Sequence, residues 1–201
     1  MSRLQARTVV VLAGGRSVRM GFDKQRLRLN DTWLMGLILR RLGGLFDRIV
    51  VVTNEPELYR GEAVLAVRDE IPGQGPLGGL HAGLKHTEGE YAYLLACDMP
   101  NIDAAFVEYL HRLAERHRPD ACVARYGDWI EPFHALYAGR IVSQLERFLS
   151  RGERGVVPFL EEIECLFLAE QTVRQYTPDW SLFANINTRE DLTRYAHPGR
   201  G

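Results

Sequence analysis

Gly14, Gly15, Arg16, Arg19 and Lys24 fall within one short stretch that begins directly after an apolar run, Thr8 to Ala13. Glycines have no Cβ, so they let the chain turn sharply and bring main-chain N–H groups against a ligand. The cations beside them add mobile positive charge, and a cation a few Å from a phosphate gains on the order of 4 kcal/mol near a surface. The combination suits polyphosphate. It is neither of two familiar phosphate loops, because the Gly-Lys-Ser/Thr ending and the G-x-G-x-x-G spacing are both missing. As structure alone, Gly14-Gly15 reads as a strand-to-helix turn among solvated arginines.

Two further stretches carry chemistry. Residues 69–79 are too rich in glycine for an ordinary connector, and a helix expected from about Leu80 to His86 would turn its free N–H groups toward an anion or a base. Asp98 ends the apolar run that starts at Tyr91. An aspartate there is either turn chemistry or a ligand for magnesium, which takes one or two carboxylates and completes its shell with phosphate oxygens and water.

These residues need a scaffold that brings strand ends together. The runs Thr8–Ala13, Arg48–Thr53 and Tyr91–Cys97 lack polar alternation, as expected of strands covered on both faces of a parallel sheet. Glu62–Arg68 reads as an edge-like strand and Glu164–Ala169 as a last one. Asp120–Arg125 and Trp129–Tyr137 read as a hairpin around Tyr126-Gly127-Asp128. Helices are expected over Trp33–Leu42, from Asn101 or Asp103 through Leu113, over Ile141–Ser150 and Val156–Glu162, and over Arg189–Tyr195 with Asn187 as its cap. His134, within an apolar strand, reads as a packed, hydrogen-bonded histidine. The arginines of Arg151–Gly155 read as a solvated linker. This predicts an α/β fold: a three-layer sandwich around a Rossmann-like mixed, mostly parallel sheet, with ligands beyond the carboxyl ends of the strands. One domain is expected over 1–196, with a loose tail at 197–201.

The run from Leu12 to Lys24 resembles the signature LAGG-x-S-x-RMG-x-DK of a nucleotidyltransferase family, and within it most of all the molybdenum cofactor guanylyltransferases. The resemblance continues through Gly75–Leu84, Ala96–Pro100, Glu131–Tyr137 and Asn185–Thr188, in the family's order. It implies a sheet of the nucleotidyltransferase type and transfer of GMP from GTP to the phosphate of molybdopterin, with release of pyrophosphate. It implies GTP and molybdopterin as partners, Mg2+ as cofactor, and transient contact with other cofactor-biosynthesis proteins. Leu12, Ala13, Gly14, Gly15, Lys24, Asn54, Asp69, Gly78 and Asp98 are the implied nucleotide-binding residues. Arg19, Lys24 and Asp98 are the implied catalytic ones, Asp98 the metal ligand, and Asn185 and Asn187 the acceptor-side pair. Thr53 competes with Asn54 for its place. Related cytidylyltransferases carry Leu-Ala-Ala-Gly where this chain has Leu12-Ala13-Gly14-Gly15. A cytidylyltransferase, a sugar- or polyol-phosphate enzyme and a non-catalytic nucleotide-binding regulator are the alternatives.

Bulk properties set the remaining bounds. With 25 Lys and Arg against 26 Asp and Glu, the net charge of −1 offers no global field for nucleic acid or an anionic membrane. The 3 cysteines are widely spaced and form no C-x-x-C pair, so neither a disulfide framework nor a zinc cluster is expected. No signal-peptide pattern or membrane-length apolar run stands out, which makes the cytoplasm the expected location.

Overall fold

The computed structural model of the chain describes residues 7–13, 24–29, 32–186, 191 and 195. Strands β1 (Thr8–Leu12), β4 (Arg48–Val52), β5 (Leu65–Val67), β6 (Tyr91–Ala96), β7 (Ala121–Tyr126), β8 (Trp129–Ala138) and β9 (Cys165–Leu168) form a seven-stranded sheet. Its order is β5-β4-β1-β6-β8-β7-β9, and only β8 runs against its neighbours. The mixed, mostly parallel sheet is as expected. Val9, Val10 and Val11 of β1 are fully buried, which is why that strand shows no polar alternation.

The α-helices among the described residues are α1 (Leu34–Gly43), α2 (Gly75–Lys85), α3 (Ala104–His117), α4 (Val142–Ser150), α5 (Val156–Glu161) and α6 (Glu170–Val173). Asp103, rather than Asn101, caps α3, its Oδ1 accepting from the Phe106 N–H at 2.7 Å. Asn101 instead donates to the Ser181 carbonyl at 2.7 Å. Successive strand residues point to opposite faces. Val10 faces α2, while Arg7, on the other face, makes an ion pair with Glu108 of α3 at 2.6 Å. Helix α4 lies beside α2, joined by a 2.9 Å contact between His81 Nε2 and Glu146 Oε1. The sheet is therefore the middle of three layers.

A 3-10 turn (Lys24–Arg26) leads into β2 (Arg28–Leu29), which pairs with β3 (Thr32–Trp33) in a small separate sheet. One expectation is corrected. Helix α2 begins at Gly75, not near Leu80, so Gly78 and Gly79 belong to the helix and not to a loop. Helical glycine costs about 1 kcal/mol, but here it permits close packing. A Cβ at Gly79 would stand 2.9 Å from Leu12 Cδ2, and one at Gly83 would overlap Val10 Cγ1. The tail at 197–201, Asn187 and most of the helix expected over 189–195 lie outside the described residues.

Gly83→Ala should therefore destabilise the protein. Overpacking a core typically costs about 1–3 kcal/mol, and the gain in helix propensity offsets about 1 kcal/mol of it. The net loss is up to about 2 kcal/mol, so at roughly 2–4 °C per kcal/mol calorimetry should show the midpoint falling by up to about 8 °C. Gly43→Ala, where a new Cβ meets nothing within 4 Å, should leave the midpoint unchanged or raise it slightly.

Candidate active site

Strands β5, β4, β1 and β6 all end on the same edge, and hydrogen bonds continue the ladder one step past each strand. Thr53 N–H donates to the Val67 carbonyl at 2.9 Å, Ala13 N–H to Val52 at 2.8 Å, and Cys97 N–H to Leu12 at 3.1 Å. Leu12, Ala13, Asn54, Asp69 and Asp98 consequently stand along one edge of the sheet, at or just past the carboxyl ends of its strands, where ligands bind in open α/β sheets. Gly14, Gly15, Arg16 and Arg19 lie outside the described residues. Lys24 opens its 3-10 turn next to a firm anchor. The buried Gln25 accepts through Oε1 from Thr53 Oγ1 at 2.8 Å, and its carbonyl accepts from Trp33 Nε1 at 2.6 Å. The chain at Lys24 is thereby tied to the end of β4. Thr53 is 1% exposed and also accepts from the Glu55 N–H, so it serves as a brace, and Asn54 is the exposed residue at that strand end.

Asp69 and Gly78 form a matched pair. Asp69 Oδ1 accepts from the Ile71 N–H at 2.9 Å, which folds the carboxylate back over the start of α2. A Cβ at Gly78 would sit 2.7 Å from Asp69 Oδ2, so only glycine lets the acid lie there. Burial raises the Asp69 pKa, and the Ile71 hydrogen bond offsets part of the rise.

On the other side of Asp98 the sheet opens. β6 pairs with β8 only as far as Leu94↔Ala135, although it continues to Ala96 beside β1. The cause is an insertion in β8: two steps along β7, from Cys122 to Ala124, match five along β8, from Leu136 back to Glu131. Within this bulge His134 adopts φ +47°, and Pro132 offers no N–H for a ladder. Tyr137 Oη donates to the Pro132 carbonyl at 2.8 Å, and His134 Nδ1 meets Tyr93 Oη at 2.8 Å. His134 is the packed, hydrogen-bonded histidine the sequence suggested. Burial lowers its pKa to about 3, with the Met99 backbone opposing.

The bulge also delivers a residue that the sequence reading passed over. Glu131 is 6% exposed, and its Oε1 accepts from the Phe133 N–H at 3.0 Å. Burial first, and the Asp98 charge in addition, push its pKa up to about 7. A glutamate beside a proline in an apolar strand was the available signal. Among the described residues no three His, Cys, Asp or Glu side chains group as a metal cage. Two hard carboxylates in electrostatic range suit a cation that completes its shell with phosphate and water. Beyond Asp98, the Ile186 N–H donates to its carbonyl at 2.7 Å, which brings the exposed Asn185 to the same edge.

The profile of the MobA-like NTP transferase domain matches residues 9–166. This chain belongs to that family. It is 44% identical over 194 residues to the molybdenum cofactor guanylyltransferase of Syntrophotalea carbinolica, covering 96% of this chain and 92% of that one. It is 40% identical to a probable molybdenum cofactor guanylyltransferase of Peptoclostridium acidaminophilum, covering 94% and 88%. The crystal structure of molybdopterin-guanine dinucleotide biosynthesis protein A from Archaeoglobus fulgidus superposes with a TM-score of 0.81 at 28% identity, covering 93% and 95%. Membership in the MobA-like family makes the chain a nucleotidyltransferase. Among the described residues no helix is long and apolar enough to cross a membrane.

Glu131 in this MobA-like site gives a pH signature. Its folded-state pKa of about 7 lies above the ordinary carboxyl value of 4.5, so its contribution to stability is fully present below about pH 4.5 and is lost as pH rises to about 7. That shift corresponds to roughly 3 kcal/mol. Urea denaturation of metal-free protein should therefore show Glu131→Gln gaining on the native protein by up to that amount across the window. A constant difference would mean that the carboxylate is well solvated.

Proposed function

We propose that this chain transfers GMP from GTP to the phosphate of molybdopterin, or of the molybdenum cofactor, releasing pyrophosphate and forming the guanine dinucleotide cofactor. The observation that carries the reading is the placement of Asp98. It stands between the Asp69–Gly78 pair on one flank and the segment Asn185–Ile186, bonded to its own carbonyl, on the other. A donor and an acceptor can thus reach one carboxylate from two sides. The names of the similar proteins supply the chemistry of both substrates.

The reaction is in-line attack of the acceptor phosphate on the α-phosphorus of the triphosphate. A phosphate monoester is already ionised near neutrality, so no general base is needed, and the protein's task is to position two anions and offset their repulsion. In this reading Leu12 and Ala13 lead the backbone to Gly14 and Gly15, whose N–H groups hold phosphate oxygens. Arg19 and Lys24 balance charge on the triphosphate and the departing pyrophosphate, arginine as a two-pronged donor and lysine as a point charge. Asn54, Asp69 and Gly78 position the nucleoside. Asn185 and Asn187 hold the acceptor. Asp98 would hold Mg2+, with the Glu131 carboxyl in electrostatic range of it. A divalent ion there supplies charge neutralisation across the phosphate oxygens, worth several kcal/mol in the transition state.

Asp98→Ala should lower kcat about 100-fold or more while moving the thermal midpoint by only a degree or two, as measured by pyrophosphate release and calorimetry. Turnover at the native rate would remove Asp98 from the reaction. In a thermal-shift panel, GTP with magnesium at about 100 times its dissociation constant should raise the midpoint by roughly 5–10 °C, with CTP, ATP and UTP far behind. A shift selective for CTP would make the chain a cytidylyltransferase.

A further inference from the structure

Tyr126 and Trp129 face each other as the closing pair of the β7–β8 hairpin, across a two-residue turn opened by Gly127 at φ +56°. They are 45% and 44% exposed, large aromatic side chains left open to solvent. They are not isolated. Trp180 meets Tyr126 at 5.2 Å and Trp129 at 5.8 Å between ring centroids, and Phe183 meets Trp129 at 6.1 Å and Trp180 at 5.3 Å. The Arg174 guanidinium lies over Tyr126 and Trp180 at 5.8 and 5.5 Å, fixed by hydrogen bonds to Glu170 and the Pro178 carbonyl at 2.6 Å each. Trp180 holds its place with φ +61°, a left-handed conformation that is unfavourable for a bulky residue. A solvent-facing aromatic surface maintained at such a cost points to a ligand.

Its position says which ligand. Asp98 follows β6; β8 is the next strand in the sheet and β7 the one after, so Trp129 at the start of β8 and Tyr126 at the end of β7 lie on the β8 side of it. Asn54 and Asp69, at the ends of β4 and β5, lie toward the opposite edge. Phe183 links the aromatic group to the site, since two residues later comes Asn185 and then Ile186 with its bond to the Asp98 carbonyl. The flank away from the nucleoside residues therefore offers flat aromatic faces next to a place for phosphate.

We infer that the exposed Trp129 ring, beside Tyr126 and backed by Trp180 and Phe183, is a stacking surface for the planar fused heterocycle of the acceptor, a pterin-class ring, while its phosphate reaches toward Asp98. This rests on the proposed transfer to a molybdopterin phosphate and adds a binding subsite to it. A bicyclic heterocycle on tryptophan gains from dispersion and quadrupole contact much as a nucleobase does on an aromatic side chain.

The test uses the full chain and 6-hydroxymethylpterin, a stable pterin that reports its own binding by fluorescence anisotropy without nucleotide. Trp129→Ala should weaken binding about ten-fold or more, Trp129→Tyr should restore it to within about three-fold of native, and both variants should keep the native GTP-induced thermal shift. Equal pterin affinity in native and Trp129→Ala protein would overturn the inference, as would the absence of binding to native protein. So would a concentration-dependent self-association lost in Trp129→Ala with pterin affinity unchanged. Failure of the transferase reading itself would appear separately, as no pyrophosphate release from GTP and molybdopterin by native protein.

Discussion

Helix α2 lies against β1 more closely than side chains on both would allow, and much of the site follows from that approach. Gly79 and Gly83 sit one helical turn apart on the face that meets Leu12 and Val10, so the helix backbone comes down onto the strand. The same helix begins beside Asp69, whose carboxylate fills the space a Cβ at Gly78 would take. One run of glycines thus fixes both the depth of the helix and the seat of the acid. β1 in turn is central, paired in register with β4 and β6, so the residues just past its end share an edge with Asn54 and Asp98.

The other half of the site depends on a break in regularity. Were β8 to pair with β6 along its full length, the edge next to Asp98 would be closed by ladder hydrogen bonds. The bulge around Pro132 and His134 stops the pairing early and turns Glu131 into a buried position near Asp98. Strain at His134 is held by a neutral imidazole against Tyr93, a pairing in which burial disfavours the charged form. The site is therefore asymmetric: closely packed glycine on the flank of Asp69, opened strand and aromatic surface on the other.

The sheet was legible because its strands announce themselves in composition. Val9, Val10 and Val11 and the Ile49–Val52 run are buried on both faces, so their apolar character is continuous and periodicity is not needed to find them. The start of α2 was not legible, since Gly75, Gly78 and Gly79 carry the local preference of a loop and only tertiary contact with β1 makes a helix of them. The two-residue strands β2 and β3 are too short to leave a pattern. Asp98 and Asp69 could be placed at strand ends from order alone, but Glu131 carried only the faint signal of an acid beside a proline in an apolar strand. Its importance comes from burial and from the Asp98 charge, and neither is a property of the residues next to it in sequence.

The sheet order also constrains how the chain is made. β1 precedes both of its sheet partners in the chain, and one of them, β6, ends only at Ala96. At roughly 5–20 residues per second, β1 waits several seconds or more for that partner, with one edge covered only by β4. During that interval the nascent chain displays an unpaired strand edge beside the apolar side chains of Val9, Val10 and Val11, the kind of edge on which another chain can pair.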